Sequence, residues 1–192
     1  MKDNEFIRGK NPMTKMEVRN AVVSYLECDS ANTILDVGAG TGSVSVQIAK
    51  QYPSIQVDAL EMTETGIDLI RQNAQKHKTA NVTPILGNAP MHSLLPKLYD
   101  RIYIGGSGSK ITDIMHWLEA NHMESGTIVV FSVITLENLN SILSYFEENS
   151  EYHSLEGSMI QASRLEPLGR YHYFSPLNPC YIIKTTYGGK NV

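Results

Sequence analysis

The chain has 192 residues, of which 42% are hydrophobic and 19% charged, and its formal net charge at pH 7 is −4. This length is about that of one domain, and the composition is that of a globular protein rather than a disordered one. The acidic balance argues against broad binding to a nucleic-acid backbone. Cys28 and Cys180 are too few for a disulfide scaffold and lack the paired spacing of a zinc site.

The composition also bears on location and metal binding. No stretch approaches the roughly 20 apolar residues that a membrane helix needs, and the opening residues MKDNEFIRGK lack the apolar centre of a signal peptide. The six histidines form no pair with metal-ligand spacing. We therefore expect a cytoplasmic protein without a metal site of its own and without contact to nucleic acid or membrane.

The first predicted element is a helix in MTKMEVRNAVVSYLE (13–27). Thr14, followed three residues later by Glu17, predicts a capping box at its start. Apolar residues then recur on one helical face: Val18, Val22, Tyr25 and Leu26.

Short runs rich in β-formers follow and alternate with segments of helical periodicity. Their nearly continuous apolar character is typical of parallel strands that are covered on both faces. The five runs are TILDVG (33–38), QVDALE (56–61), NVTPILG (81–87), DRIYIGG (100–106) and GTIVVFSVI (126–134).

The alternation stops near residue 150. SLEGSMIQASRLE (154–166) and CYIIKTTY (180–187) follow, separated by a loop rich in Gly, Pro and aromatic residues. These two runs predict a terminal β-hairpin. The whole chain, 1–192, is thus expected to be one α/β domain with an N-terminal helical segment (1–30), a cofactor-binding core (31–150) and the terminal hairpin (151–192).

The segment TILDVGAGTG (33–42) joins the first strand to the first crossover helix, which is where open α/β sheets bind ligands. Gly38, Gly40 and Gly42 remove side chains from this turn, so main-chain N–H groups are expected to contact a ligand directly.

The spacing of the glycines favours one cofactor over another. A dinucleotide fingerprint, G-x-G-x-x-G, would place its third glycine at position 43, which is Ser43. Here G-x-G-x-G follows Asp36, and an acid, Glu61, closes the second strand. This combination favours S-adenosylmethionine over a nicotinamide dinucleotide, with Glu61 as acceptor for the ribose hydroxyls and Asp36 as a support of the loop.

Five stretches in order, spanning nearly the whole chain, carry a family resemblance: NPMTKMEVR (11–19), DVGAGTGSVSVQIA (36–49), GNAP (87–90), IGGSG (104–108) and NP (178–179). With these motifs the chain resembles the decarboxylating precorrin or cobalt-precorrin carbon-15 methyltransferases of cobalamin biosynthesis. The resemblance implies a class I S-adenosylmethionine-dependent methyltransferase fold, Rossmann-like, with a seven-stranded, mostly parallel sheet whose last strand is antiparallel. It also implies a homotetramer, functional pairing with a carbon-5 precorrin methyltransferase, and a tetrapyrrole substrate.

The reaction implied by the resemblance is methylation of carbon 15, coupled to decarboxylation of the ring-C acetate, from cobalt-precorrin-6B to cobalt-precorrin-7. Whether the ring carries cobalt stays open, although a separate chain for carbon 15 favours the cobalt-containing route. Two alternatives also stay open: an RNA methyltransferase of the same fold, and a cofactor-binding domain without catalysis.

The resemblance assigns cofactor contacts by motif to Thr14, Gly38, Ala39, Gly40, Thr41, Gly42, Glu61 and Ala89. Asn88 stands where related sequences often carry an acid. Gly105, Gly106 and Ser107 lie at the carboxyl end of the fourth strand and border the expected reaction cleft, but no catalytic residue is assigned. A ring with many carboxylates calls for cations, and the candidates are Lys15, Arg19, Arg164 and Arg170.

Overall fold

The structure is a computed structural model, and it describes residues 1–106, 108 and 110–189. The helices are α1 (Met16–Tyr25), α2 (Ser43–Gln51), α3 (Glu64–His77), α4 (Ile111–Asn121) and α5 (Leu136–Glu148), with 3-10 helices at Asp3–Glu5 and Cys28–Ser30. The strands are β1 (Thr33–Val37), β2 (Gln56–Glu61), β3 (Val82–Leu86), β4 (Arg101–Ile104), β5 (Ile128–Val133), β6 (Tyr152–Ile160), β7 (Ser163–Leu168), β8 (Tyr171–Pro176) and β9 (Cys180–Tyr187).

The main sheet has seven strands in the order β3-β2-β1-β4-β5-β9-β6. The neighbours among β1 to β5 pair in parallel, whereas β9 is antiparallel to both β5 and β6. The α/β fold, the antiparallel last strand and all five predicted parallel strands are confirmed. The central strands β1, β4 and β5 are almost entirely buried, which explains their continuous apolar runs.

The strand order creates a topological switch point between β1 and β4. The chain leaves β1 for β2 and β3 on one side and returns to β4 on the other, so β1 pairs with both β2 and β4. The turns that follow β1 and β4 therefore diverge from neighbouring strands at the same edge of the sheet. This is the place where open α/β sheets bind ligands.

The terminal segment is more elaborate than the predicted hairpin. Strand β6 does pair with β9, but the residues between them form a second hairpin in which β7 pairs with β8 as a separate two-stranded sheet. Most side chains of this hairpin are exposed, so its sequence has no alternation of buried and exposed positions from which its strands could be predicted. Its exposed apolar residues are Leu165, Leu168, Tyr171, Tyr173 and Phe174.

The capping box predicted at the start of α1 is wrong. The helix begins at Met16, and the residue before it, Lys15, makes no side-chain cap. The Glu17 carboxylate cannot serve the cap because it accepts hydrogen bonds from Arg164 Nη2 at 2.7 Å and Nε at 3.1 Å. A contact made 147 residues away in the chain thus overrides the local capping signal.

Arg19 is fully buried and ties the N-terminal residues to the body of the protein. Its Nε donates to Gln47 Oε1 at 2.7 Å, and Nη1 pairs with Asp3 Oδ1 at 3.2 Å. The remaining N–H groups donate to the main-chain oxygens of Met1 and Thr14. These contacts satisfy the guanidinium inside the fold, so the predicted role of Arg19 in holding a substrate carboxylate is corrected to a structural one.

Asp3 connects this buried cluster to β7. Its Oδ2 lies 2.7 Å from Arg164 Nη2 while its Oδ1 faces Arg19. Burial opposes ionisation of this carboxyl, but hydrogen bonds and charge from Arg164 and Arg19 hold its pKa below the usual value. The second hairpin is anchored to the N-terminal helix through this network.

Replacement of Arg19 by Met should therefore destabilise the fold. The change leaves Asp3 with one cation instead of two. It also leaves the side-chain oxygen of Gln47 and two main-chain carbonyl groups without the hydrogen-bond donors that Arg19 supplies. We therefore expect a loss of about 3 kcal/mol in the free energy of unfolding. Urea denaturation measures this loss. Arg71→Met is the matched control, since Arg71 forms an exposed pair with Asp68 and should cost less than about 0.5 kcal/mol. Equal losses in the two variants would contradict the structural role of Arg19.

Candidate functional site

A cleft of about 550 Å³ opens at the carboxyl edge of the parallel strands, above the switch point. Five segments line it: the chain before α1, the turn after β1, the end of β2 with the turn after it, the residues after β3, and the turn after β4. The last four are the turns that a parallel sheet brings to one edge, and the first crosses over them. The cleft therefore lies where sequence analysis placed the ligand site.

The turn after β1 depends on two glycines. Gly38 has φ +77°, and a Cβ there would lie 2.9 Å from the backbone N and O of Gly106. Gly40 has φ +58°, and a Cβ there would lie 3.0 Å from the main-chain oxygen of Pro12. Both conformations disfavour other residues. The glycines thus allow three pieces of backbone to approach one another along the wall of the cleft.

The first three N–H groups of this turn are not free donors. Gly38 N and Ala39 N both donate to Leu60 O, at 2.9 and 3.0 Å, and Gly40 N donates to Glu61 Oε2 at 3.0 Å. The expectation that these groups contact a ligand directly is corrected: they bind the turn to the end of β2. What the glycines provide is close backbone approach.

Glu61 ends β2, is buried, and lines the cleft. While Oε2 holds the Gly40 N–H group, Oε1 accepts from the backbone N and the Oγ1 of Thr63 at 3.0 and 2.7 Å. The carboxylate is therefore held in one orientation by both neighbouring turns. A fixed acceptor at this point can bind a pair of ligand hydroxyl groups.

Asp36 lies beneath the turn rather than in the cleft. Its Oδ2 accepts a hydrogen bond from Ser45 Oγ, and its Oδ1 has no partner among the described residues. Burial, reinforced by the negative charge of Glu61, raises the pKa of Asp36 to about 7. The carboxyl thus supports the turn and the start of α2.

The segment before α1 crosses the cleft as a strap formed by residues 7–15. The Asn73 side chain holds one end of the strap by accepting from Ile7 N at 2.7 Å and donating to Ile7 O at 3.0 Å. Asn11 Nδ2 donates to Thr63 Oγ1 at 3.2 Å, and Asn11 and Thr14 line the cleft. Thr14 was predicted, whereas Asn11 was missed although it opens the first of the five motifs.

The remaining predicted contacts divide into two groups. Ala39 and Ala89 line the cleft, but Thr41 and Gly42 are buried behind the turn and do not appear among its lining residues. The hydroxyl group of Thr41 has no hydrogen-bond partner among the described residues. Asn88 also lines the cleft and is exposed, which leaves its amide available to a ligand.

The turn after β4 contributes Gly105 and Gly106 to the cleft, as predicted, while Ser107 lies outside the described residues. A Cβ on Gly105 would lie 2.9 Å from the Tyr103 hydroxyl group, which is hydrogen-bonded to Ser132 Oγ at 2.6 Å. Gly105 therefore makes room for a buried tyrosine that connects β4 to β5.

None of the four predicted cations lines the cleft. Arg19 is buried, and Arg164 is bound to Asp3 and Glu17, whose hydrogen bonds raise its pKa. Lys15 is half-buried at the start of α1, and Arg170 stacks on Tyr171 in the exposed hairpin. The cation that does line the cleft is Lys110, just before α4, which sequence analysis missed.

In residues 1–106, 108 and 110–189, no three His, Cys, Asp or Glu side chains are grouped so that they could hold a metal ion. Over the same residues, no helix is both long enough and apolar enough to cross a membrane.

Comparison with known proteins identifies the family. Residues 5–186 match the model of the precorrin methyltransferase domain. The chain belongs to the precorrin methyltransferase family. The resemblance seen in the five motifs is thereby confirmed, and with it the expectation of a methyltransferase fold.

Individual relatives agree with this assignment. A Salmonella typhimurium protein named cobalt-precorrin-6B C(15)-methyltransferase (decarboxylating) is 39% identical over 184 residues, which cover 95% of this chain and 94% of the relative. The solved precorrin-6y C5,15-methyltransferase of Geobacter metallireducens has a TM-score of 0.86 at 30% identity and 97% coverage of both chains. The solved precorrin 8W decarboxylase of Methanobacterium thermoautotrophicum has a TM-score of 0.85 at 25% identity, covering 96% of this chain and 98% of that one.

Substitution of Gly40 by Val should weaken the binding of S-adenosylhomocysteine in the cleft. The side chain would be strained at positive φ and would push against Pro12 in the strap. We expect affinity for S-adenosylhomocysteine, measured by calorimetry, to fall at least about tenfold. Gly169→Val is the control, because Gly169 has a similar φ of +60° with nothing within 4 Å of its Cβ position. Retained affinity in a folded Gly40→Val protein would refute the assignment of this turn.

Proposed function

We propose that the protein is an S-adenosylmethionine-dependent methyltransferase that acts on cobalt-precorrin-6B. It adds a methyl group to carbon 15 and releases the carboxyl group of the ring-C acetate as carbon dioxide, which gives cobalt-precorrin-7. The observation that carries this proposal is the 39% identity over nearly the full length to a relative named for that activity. The glycine-lined cleft supports it.

The described residues fit S-adenosylmethionine. The cradle of Gly38 and Gly40, which side chains would fill, suits the amino-acid part of the cofactor. Glu61, held in one orientation, suits the ribose hydroxyl groups, and the apolar surfaces of Met62 and Ala89 suit the adenine ring. When bound, the cofactor supplies a methyl group that its sulfonium has already activated.

The cleft contributes placement rather than proton transfer. Of the described residues that line it, Glu61 and Lys110 are charged, and Glu61 is engaged by Gly40 and Thr63. Orientation of two reactants alone contributes up to roughly 7–11 kcal/mol in favourable cases. For decarboxylation, the conjugated imine of the substrate accepts the electron pair left by carbon dioxide. The remaining carbon takes up one proton to become a methyl group, and this uptake balances the proton that carbon 15 loses on methylation, so the overall reaction needs no net base.

The reaction itself is the direct test. With cobalt-precorrin-6B and S-adenosylmethionine, mass spectrometry should show a product that has gained CH2 and lost CO2. Gly106→Val is the informative variant, since an added Cβ has 3.8 Å to its nearest neighbour while the larger side chain narrows the substrate side of the cleft. Turnover should fall in this variant, and affinity for the cofactor should stay within about twofold of the parent, because transition-state orientation is what is lost.

If the tetrapyrrole is not methylated, two further measurements distinguish an RNA methyltransferase from a cofactor-binding domain without catalysis. If the protein leaves tetrapyrroles untouched but methylates RNA, the cobalamin proposal fails and only the cofactor site stands. If it binds S-adenosylhomocysteine but methylates neither, it is a binding domain without catalysis.

We further propose that the protein is a homotetramer assembled through the second hairpin. The resemblance to the family implies four copies, and the β7–β8 hairpin exposes large apolar side chains, among them the cross-strand pair Leu165 and Phe174, that a partner copy would cover. Arg164 fixes the base of the hairpin to Asp3 and Glu17, so its apolar surface is held in place before assembly. Cytoplasmic location and pairing with a separate carbon-5 methyltransferase stay predictions.

Polar replacements in the hairpin test this assembly. The double variant Leu165→Ser/Phe174→Ser replaces two apolar side chains that are 60% and 68% exposed. Light scattering on this variant should show a mass below that of a tetramer. Leu95→Ser is the control, because Leu95 is 81% exposed but lies outside the hairpin. A parent that is monomeric, or a double variant with unchanged mass, would contradict the proposal.

A further inference from the structure

Lys110 is the one cation among the described residues that line the cleft. It lies directly before α4, in the turn that also supplies Gly105 and Gly106. None of the described carboxylates lies within ion-pair distance of its ammonium group. Arg164 and Lys184, by contrast, each face two carboxylates. The charge of Lys110 is therefore available to an anionic ligand.

A second feature follows β5, the parallel neighbour of β4, and lies outside the lining of the cleft. Strands β4 and β5 are parallel neighbours with Ile104 opposite Phe131, so the segment after β5 leaves the sheet beside the turn that holds Lys110. In that segment Ile134 and Leu136 are 62% and 64% exposed. They flank Thr135, whose extended backbone (φ −107°, ψ 147°) directs residues on either side of it to the same face.

This apolar pair is held in place. Thr135 Oγ1 accepts from Asn138 N at 3.3 Å and caps the start of α5. Two aliphatic side chains held at a fixed position would gain free energy if an apolar ligand covered them. Because the turn that carries them follows the strand next to β4, the pair together with Lys110 suits an occupant with a broad apolar face and negative charge at its rim.

A tetrapyrrole that carries acetate and propionate groups has this combination. Its ring presents a flat apolar face, and its carboxylates project from the edge. An RNA segment would also bring negative charge, but stacking of bases calls for aromatic side chains or arginine rather than Ile and Leu. The chemistry therefore favours the ring.

We propose that Lys110, Ile134 and Leu136 form a substrate shelf, in which Lys110 pairs with a peripheral carboxylate of the tetrapyrrole while Ile134 and Leu136 contact the face of its ring. This inference rests on the proposed function and names the residues that recognise its substrate. It replaces the cations that sequence analysis suggested, none of which lines the cleft.

Replacement of Lys110 by Met tests the ionic half of the shelf. The KM for cobalt-precorrin-6B should rise about fivefold, as for loss of a partly exposed ion pair, with kcat within about twofold of the parent. Lys110→Arg should restore KM. The effect should shrink at roughly 1 M salt, where the Debye length is about 3 Å. Lys76→Met, at an exposed position on α3, is the matched control and should leave KM unchanged.

Replacement of Leu136 by Ser tests the apolar half. KM should rise by a similar factor at low and high salt alike, because burial of apolar surface is not screened by ions. Stability should be unchanged, since the side chain is mostly exposed. Light scattering on the same variant checks assembly: a changed mass would show that a second copy covers the pair, and would overturn the shelf.

The cofactor is the main rival for Lys110, because its amino-acid part also carries a carboxylate. Calorimetry separates the two ligands. If Lys110→Met loses affinity for S-adenosylhomocysteine but not for 5′-methylthioadenosine, which lacks that carboxylate, the lysine binds the cofactor and the proposal is wrong. It is also wrong if KM for the tetrapyrrole does not change.

A direct binding measurement keeps the shelf distinguishable from the proposed reaction. Uroporphyrin, a tetrapyrrole with carboxylates around its rim, serves as a probe, and its fluorescence is followed on addition of protein loaded with S-adenosylhomocysteine. Weaker binding to Lys110→Met than to the parent supports the shelf even if no methyl transfer occurs, in which case only the proposed reaction fails. Absence of binding to the parent overturns the shelf.

Discussion

The site depends on one constraint, the close approach of backbone segments at the carboxyl edge of the sheet. Gly38 and Gly106 are so close that a single carbon added to Gly38 would collide with the main chain. Glu61 then joins the turn after β1 to the turn after β2 through Gly40 and Thr63. The parallel order brings these turns together, and glycines from the turns after β1, β3 and β4 line the cleft between them. A side chain at Gly38 would push the turn after β1 away from Gly106, and one at Gly40 would push against the strap at Pro12.

The parts of the molecule that could be predicted are those with local causes. Continuous apolar runs predicted β1 to β5 to within two residues, because strands covered on both faces must be apolar throughout. The glycine turn could be predicted since its backbone conformation restricts residue type. The prediction that its N–H groups contact a ligand directly was nevertheless wrong. Their acceptors, Leu60 O and Glu61 Oε2, lie more than 20 residues away and no local pattern encodes the pairing.

The parts that could not be predicted have distant causes or no burial signal. Glu17 has the right spacing for a cap, but Arg164 binds it instead. Nothing in the local sequence shows that Arg19 is buried, because its partners Asp3 and Gln47 come from other segments of the chain. The β7–β8 hairpin is exposed on both faces, so its side chains show no alternation. Lys110 could not be distinguished from other lysines by composition, because its significance lies in its place beside the turn after β4.

Electrostatics explains why recognition of the substrate has to be local. The chain has a net charge of −4, so at long range it repels a ring that carries many carboxylates, although salt screens this repulsion beyond about 8 Å. Within that distance, the charges that line the cleft determine whether the interaction with the substrate is attractive or repulsive. Glu61 is buried and hydrogen-bonded on the β2 side, while Lys110 is exposed on the β4 side. In the proposed arrangement, the ribose hydroxyl groups of the cofactor lie beside the acid and a carboxylate of the tetrapyrrole lies beside the lysine. The two halves of the cleft can therefore receive a nucleoside and a polycarboxylate from opposite sides without placing like charges together.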